Sequence, residues 1–365
     1  MMKNLDIIGY GATGTLIGGK KLEPMRVIRN APERDQVQIE ILYCGVCHSD
    51  IHQVNNDWKN TIYPCVPGHE IVGRITDAGD AVTKFKVGDI VGVGCMIDSC
   101  GSCVSCREGE EQYCLGPVGC TLTYNGYFKP DNSGFNTFGG YTSTIVVKES
   151  FVLSIPSSLE ISAVAPILCA GITTYSPLKR QGVKAGDRIG VIGIGGLGHM
   201  GVMIARALGA EVTAITTQEE KRIDAMALGA HNVIVSTSES EMKMNENKFD
   251  FLLCTIPESF DINPYVCLLK AHGSLVTVGL LGPYKKPLDN NEVAKMGRSV
   301  GGSLIGGVAE TQEVLEFCAE HNILPHVQVI PIQDINDAFD HIKKEEVRFR
   351  YVIDMKTLEK EIEKG

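Results

Sequence analysis

Cys100, Cys103, Cys106 and Cys114 stand in the pattern C-x2-C-x2-C-x7-C, inside one short loop that also carries Gly101, Ser102 and Ser105. Packing gives no reason to crowd four thiols into so short a stretch. Their sulfurs can surround one tetrahedral ion at about 2.3 Å, and an all-sulfur shell selects zinc or an iron–sulfur cluster. Two disulfides, or buried free thiols, are the competing readings. The chain holds 13 cysteines, an odd number scattered along its length, which would scramble in an oxidising compartment. A reducing cytoplasm is therefore expected, with cysteines serving as metal ligands and small core residues.

The 365 residues suffice for about two domains, and 44% hydrophobic against 21% charged residues suits folded cores. A net charge of −10 argues against a nucleic-acid partner, which calls for a basic face. Residues 1–10 lack the basic head and apolar run of a signal peptide. Residues 191–210 are apolar but interrupted by six glycines, His199 and Arg206, a poor design for a membrane-spanning helix.

Residues 1–160 read as β-rich: Val37, Ile39 and Ile41 alternate with polar neighbours, and Gly79-Asp80 and Gly88-Asp89 mark turns. After Pro156 the pattern changes. An apolar stretch at 162–178 looks helical. Strands at 188–192, 211–216, 232–235, 250–255 and 274–279 then alternate with helices at 198–208, 219–228 and 263–269. Such alternation predicts an α/β domain with a doubly wound parallel sheet. The tail, with helices from 310 and at 335–344 and strands near 327–330 and 350–353, fits that sheet poorly and is expected to return to the first domain.

Gly193, Gly195 and Gly198 form G-x-G-x-x-G with Ile194, Gly196 and Leu197, directly after an apolar strand and before a good helix former. The first glycine makes the tight turn, the second admits a pyrophosphate, and the third lets helix and strand pack closely. A dinucleotide fold that prefers NAD ends its second strand in a carboxylate for the ribose 2′-OH. This chain has Thr216, Thr217 and Gln218 there, with Lys221 and Arg222 one turn on. Hydroxyls and cations suit a 2′-phosphate, so NADP is expected over NAD; in the alternative, Glu219 or Glu220 is the ribose acid.

Cys47, His69 and Cys169 are candidate ligands for a second metal, since a catalytic zinc takes three protein ligands and keeps one position open. By spacing alone, two buried thiols and a satisfied histidine account for them equally well.

Five strings together carry a family resemblance: residues 44–52 (CGVCHSDIH), 67–73 (PGHEIVG), the four-cysteine loop, 169–175 (CAGITTY) and 193–200 (GIGGLGHM); residues 301–306 (GGSLIG) and 310–313 (ETQE) extend it. In order and distance they resemble the zinc-dependent medium-chain alcohol dehydrogenases, and most nearly the cinnamyl alcohol dehydrogenase-like aldehyde reductases. The resemblance implies a GroES-like β-rich catalytic domain at 1–160, a Rossmann domain at 161–308, and a C-terminal segment, 309–365, returning to the first. It also implies two zinc ions: a structural one on Cys100, Cys103, Cys106 and Cys114, and a catalytic one on Cys47, His69 and Cys169 with Glu70 beside it. Ser49 and His52 would move the proton, with Asp50 orienting a zinc ligand or His52; His48, Thr173 and the glycine turn would hold NADP(H). Trp58, the one tryptophan, is expected to wall the substrate pocket or else to sit in core or surface.

These readings combine into a zinc-dependent oxidoreductase acting on an aldehyde/alcohol pair, cytoplasmic and homodimeric through the Rossmann domain, with neither nucleic acid nor membrane as partner. The alternative is an NADP-binding zinc protein that senses redox state without turnover.

Overall fold

A computed structural model describes residues 4–16, 20–129, 131, 133–344 and 349–362. The chain forms two compact units: one holds the residues through Cys169 and those from Gly306 onward, the other spans Ala170–Ile305.

In the first unit, the strand Gln36–Val46 is the hub. It buries Val37, Ile39 and Ile41 on one face, as the period-two pattern predicts, and everything from Cys44 to Val46. Antiparallel partners lie on both sides of it, Ile71–Ala78 and Arg350–Asp354, while Thr144–Lys148 also pairs with its first half. The whole sheet has seven strands, running Val327–Pro331, Arg350–Asp354, Gln36–Val46, Ile71–Ala78, Ile90–Val93 and Leu153–Ser154, with Thr144–Lys148 off that path. The C-terminal segment thus returns to this sheet, placing Tyr351 opposite Val46.

The second unit is a six-stranded sheet in the order Asn232–Val235, Glu211–Thr216, Arg188–Ile192, Phe249–Cys254, Leu269–Val278, Ser299–Ser303. Every pairing in it is parallel. The order reverses beside Arg188–Ile192, the switch point at which such sheets take their ligands. Ile192, Ile215, Leu252, Cys254 and Leu275 pack beneath it as a closed apolar core.

Several elements differ from the sequence expectation. The stretch 162–178 is not one helix: a helical turn Ile161–Val164 and a 3-10 turn Ala165–Leu168 end at Cys169, whose φ of −130° and ψ of −68° leave the helical region before Ala170–Arg180 begins. The units accordingly part at this break, later than the composition change at Pro156. The helix expected at 263–269 stops at Val266, because Leu269 already opens a strand. An unforeseen helix, Glu239–Met244, is capped by Ser238, which accepts from the Glu241 N–H; its charged residues alternate with Ser240 and Met242 and show no helical period. No single helix among the described residues is long and apolar enough to cross a membrane.

Candidate active site

Cys47, His69, Glu70 and Cys169 are all buried, and one ligand atom from each falls within 4.8 Å of all the others. Cys47 caps the helix His48–Asn55 at the end of the hub strand. His69 and Glu70 precede the neighbouring strand, and Cys169 comes from the break described above. His69 Nε2 is 3.2 Å from Cys169 Sγ. Four donors around one point, two sulfurs, one nitrogen and one oxygen, are the donor set of a zinc site.

Asp50 organises this cluster. Fully buried, it accepts from the Cys47 N–H at 2.9 Å, the Gly68 N–H at 3.1 Å, His69 Nδ1 at 3.1 Å and the Tyr141 hydroxyl at 3.2 Å. Holding Nδ1 as a donor leaves the Nε2 lone pair directed at the cluster. Gly68 makes the approach possible: its φ is +102°, and a Cβ there would lie 2.7 Å from the Tyr141 ring. Of the two partners expected for Asp50, the structure selects the His69 side and not His52. The Tyr124 ring packs 5.6 Å from His69.

Glu70 is ion-paired with Arg350, and both side chains are almost wholly buried. Burial pushes the Glu70 carboxyl up to about 7, against the opposing pull of Arg350. Its other oxygen, Oε2, is buried with no hydrogen-bond partner, an orphan that a cation would satisfy. Gly45 is the reason it fits: a Cβ there would stand 1.9 Å from that oxygen. A hydrogen bond from Cys169 holds the Cys47 thiol well below its usual range, with burial opposing and His69 assisting. Arg350 lies 280 positions from its partner, and no local signal in the sequence could have found it.

Ser49 and His52 sit three apart on the helix His48–Asn55, hence on one face of it. His52 Nδ1 is 2.7 Å from the Asp57 carboxylate, so Asp57 is the partner the sequence reading missed. The ring of His52 lies between those of His48, at 4.7 Å, and Trp58, at 5.6 Å. Trp58 therefore belongs to this cluster and is half-buried, neither core nor bare surface.

The sulfurs of Cys100, Cys103, Cys106 and Cys114 form the second cluster within 4.8 Å. Cys100 Sγ and Cys106 Sγ are 3.8 Å apart, the edge of a tetrahedron with bonds of about 2.3 Å. Backbone N–H groups point at the sulfurs: Cys103 N to Cys100, Leu115 N to Cys103, Gly116 N to Cys114, at 3.3–3.4 Å. Those of Ser102 and Cys103 draw the Cys100 thiol down to about 5. All thirteen cysteines are free thiols, which removes the disulfide reading.

In the second unit, Gly193 turns with φ +87° and Thr255 Oγ1 donates to its carbonyl at 2.8 Å. A Cβ on Gly198 would meet the Gly193 carbonyl at 1.8 Å, whereas beside Gly195 nothing lies within 4 Å. Gly196 and Leu197 complete the turn ahead of the helix Gly198–Ala207, whose N-terminal peptide groups favour an anion. Open space above Gly195 fits a pyrophosphate. Thr216 is buried at the strand end, where its hydroxyl accepts from Gln218 N at 3.3 Å, and Thr217 is exposed. Lys221 opens the helix Lys221–Ala227. Arg222, read in sequence as a cation for the phosphate, is instead bonded to Glu219 and Glu241. Thr173 keeps a buried hydroxyl oxygen with no hydrogen-bond partner.

Residues 33–157 match the alcohol dehydrogenase GroES-like domain, and residues 196–320 the zinc-binding dehydrogenase model. The chain is 48% identical to the aldehyde reductase YahK of Escherichia coli, over 95% of its own length and 98% of the relative's. A cinnamyl alcohol dehydrogenase of Sorghum bicolor superposes with a TM-score of 0.90 at 38% identity, covering 96% and 98% of the two chains. One from Helicobacter pylori, solved as a complex with NADP(H), superposes at 0.88 with 40% identity, covering 97% and 99%.

Proposed function

The chain belongs to the zinc-binding, GroES-like alcohol dehydrogenase family, and from that membership we propose that it exchanges a hydride between NADP(H) and a primary alcohol/aldehyde pair, working chiefly as a broad-range aldehyde reductase. The observation that carries the assignment is the Asp50-held cluster of Cys47, His69 and Cys169 with the orphaned oxygen of Glu70. These residues would hold the catalytic zinc, which supplies a Lewis acid for a substrate oxygen when bound. Gly193–Gly198 and Thr173 would help hold NADPH, which supplies the hydride when bound.

The chain's own residues do the rest. Asp50 fixes the His69 tautomer, and Arg350 holds one oxygen of Glu70 while the other faces the cluster. Ser49 gives its hydroxyl proton to the oxygen that gains charge, and His52 replenishes it. Imidazole suits that step because it can both give and take a proton, and Asp57 orients the ring from Nδ1. Trp58 packs on His52 and walls the approach to it. In alcohol oxidation each proton step reverses. Cys100, Cys103, Cys106 and Cys114 would close completely around a structural zinc, leaving no position for substrate.

We also propose a homodimer in a reducing cytoplasm, the compartment that suits thirteen cysteines kept as free thiols. Ser299–Ser303 is the last strand of its sheet with exposed residues, an edge that a second copy would cover. The sensor alternative is set aside, since relatives along nearly the whole chain are named as reductases and dehydrogenases. Metal analysis with an aldehyde panel tests the proposal. We expect two zinc ions per chain and NADPH-dependent reduction, with Cys47→Ala losing one zinc and all turnover. A protein with one zinc and no reduction of any aldehyde would overturn it. Replacing His52 with alanine should slow turnover and reshape its pH profile; an unchanged profile would remove it from the proton path.

A further inference from the structure

Arg222 spends its guanidinium on three acceptors. Its Nε donates to Glu219 at 2.6 Å, one terminal nitrogen to Glu241 at 2.7 Å, and the other to the Val233 carbonyl at 2.8 Å. Glu241 is fixed in turn, because its second oxygen accepts from the Val235 N–H at 2.9 Å. The anchor thus reaches from the helix Lys221–Ala227 to the next strand, Asn232–Val235, and to the helix after it, Glu239–Met244. A planar fork that meets two carboxylates and a carbonyl at once is a task for arginine and not for lysine.

Glu219 follows the end of the second strand by three residues, where a dinucleotide fold keeps the acid that selects a ribose 2′-OH. Free, that carboxylate would accept from the hydroxyl of NAD and repel the 2′-phosphate of NADP. We infer that Arg222 is a positioning residue for nucleotide choice: by clamping Glu219 against Glu241, it withdraws from the ribose edge an acid that would otherwise repel the 2′-phosphate. The inference rests on the NADP reading above. It differs from a direct role of Arg222 on the phosphate, since the group is already committed to protein acceptors.

The test is calorimetric titration of the full-length, zinc-loaded protein with NADPH and with NADH, without aldehyde. Arg222→Ala should lower the NADPH-over-NADH affinity ratio by about tenfold or more, through weaker NADPH and equal or tighter NADH binding. Adding Glu219→Gln in the same chain should restore most of the ratio, because no freed acid remains; Glu220→Gln added to Arg222→Ala should not. If Arg222 bound the phosphate itself, the Glu219→Gln double variant would stay impaired, and the inference would fall. An equal loss for both nucleotides, with the ratio unchanged, marks a purely structural role and also overturns it. Should Arg222→Ala fail to fold, Glu219→Asp, too short to reach the fork, should lower the ratio with the Glu241 anchor intact; an unaltered ratio there counts against the clamp. A wild-type protein without preference for NADPH would sink the NADP reading itself, whereas a preference that survives Arg222→Ala sinks the clamp alone.

Discussion

Asp50 shows how much of this site hangs on single residues. One buried carboxylate accepts four hydrogen bonds and so sets the Cys47 backbone, the Gly68 turn and the His69 tautomer together. Asp50→Asn presents a donor where a donor already points, and similar outer contacts of metal ligands are worth about 10–100-fold in affinity. Chelator competition at fixed pH should show a drop of that size at one of two zincs, with the other unaffected. Arg350 is the second such residue. Arg350→Ala removes the partner of a wholly buried carboxylate, and breaking one side of such a pair costs about 3–5 kcal/mol, to be read as a lower denaturant midpoint. The candidate ligands Cys47 and His69 were legible in the sequence because they sit in strings that carry the family resemblance. Asp57 was within reach, five positions beyond His52. Arg350 was not, because its meaning depends on a partner brought to it only by folding.

At the level of elements, the four-cysteine loop does more than enclose an ion. Glu111, three residues before Cys114, accepts from the Val308 N–H at 3.1 Å, and a Cβ on Gly307 would meet the Gly109 carbonyl at 1.7 Å. The loop therefore seats the first turn of the helix Val308–Glu320, where a carboxylate also complements the helix dipole. Cys103→Ser should reduce the zinc content from two ions to one and lower the melting temperature. It should also speed amide exchange over residues 308–312, while exchange in the strand Arg188–Ile192 stays as it was. Arg188–Ile192, Glu211–Thr216 and Asn232–Val235 were readable to the residue, since parallel strands buried on both faces form short apolar runs between turn signals, whereas Leu269–Val278 begins five residues before the expected 274. The apolar run at 162–178 misled for the same reason. Hydrophobicity reports burial and not continuity, and the break at Cys169 carries no turn residue of its own.

For the molecule as a whole, nucleotide binding and stability are linked. A ligand at about 100 times its Kd adds about 2.7 kcal/mol to the folded state. Thermal melts with equal concentrations of NADPH and NADH should therefore separate, with NADPH giving the larger upward shift; equal shifts would contradict the nucleotide preference. The sequence alone determined the four-cysteine cluster, the glycine turn and the alternation of strands and helices, and its family resemblance pointed to Cys47, His69 and Cys169. Each of these is written in residues close together or in short strings whose chemistry survives outside any fold. Only the tertiary structure decided that Asp50 serves His69, that Arg350 returns from the far end of the chain to hold Glu70, that Gly45 must lack a side chain, and that Arg222 is committed to Glu219 and Glu241. The first three of those assignments turn on which groups share a buried space, and groups distant in sequence acquire partners only when the sheets that carry them pair.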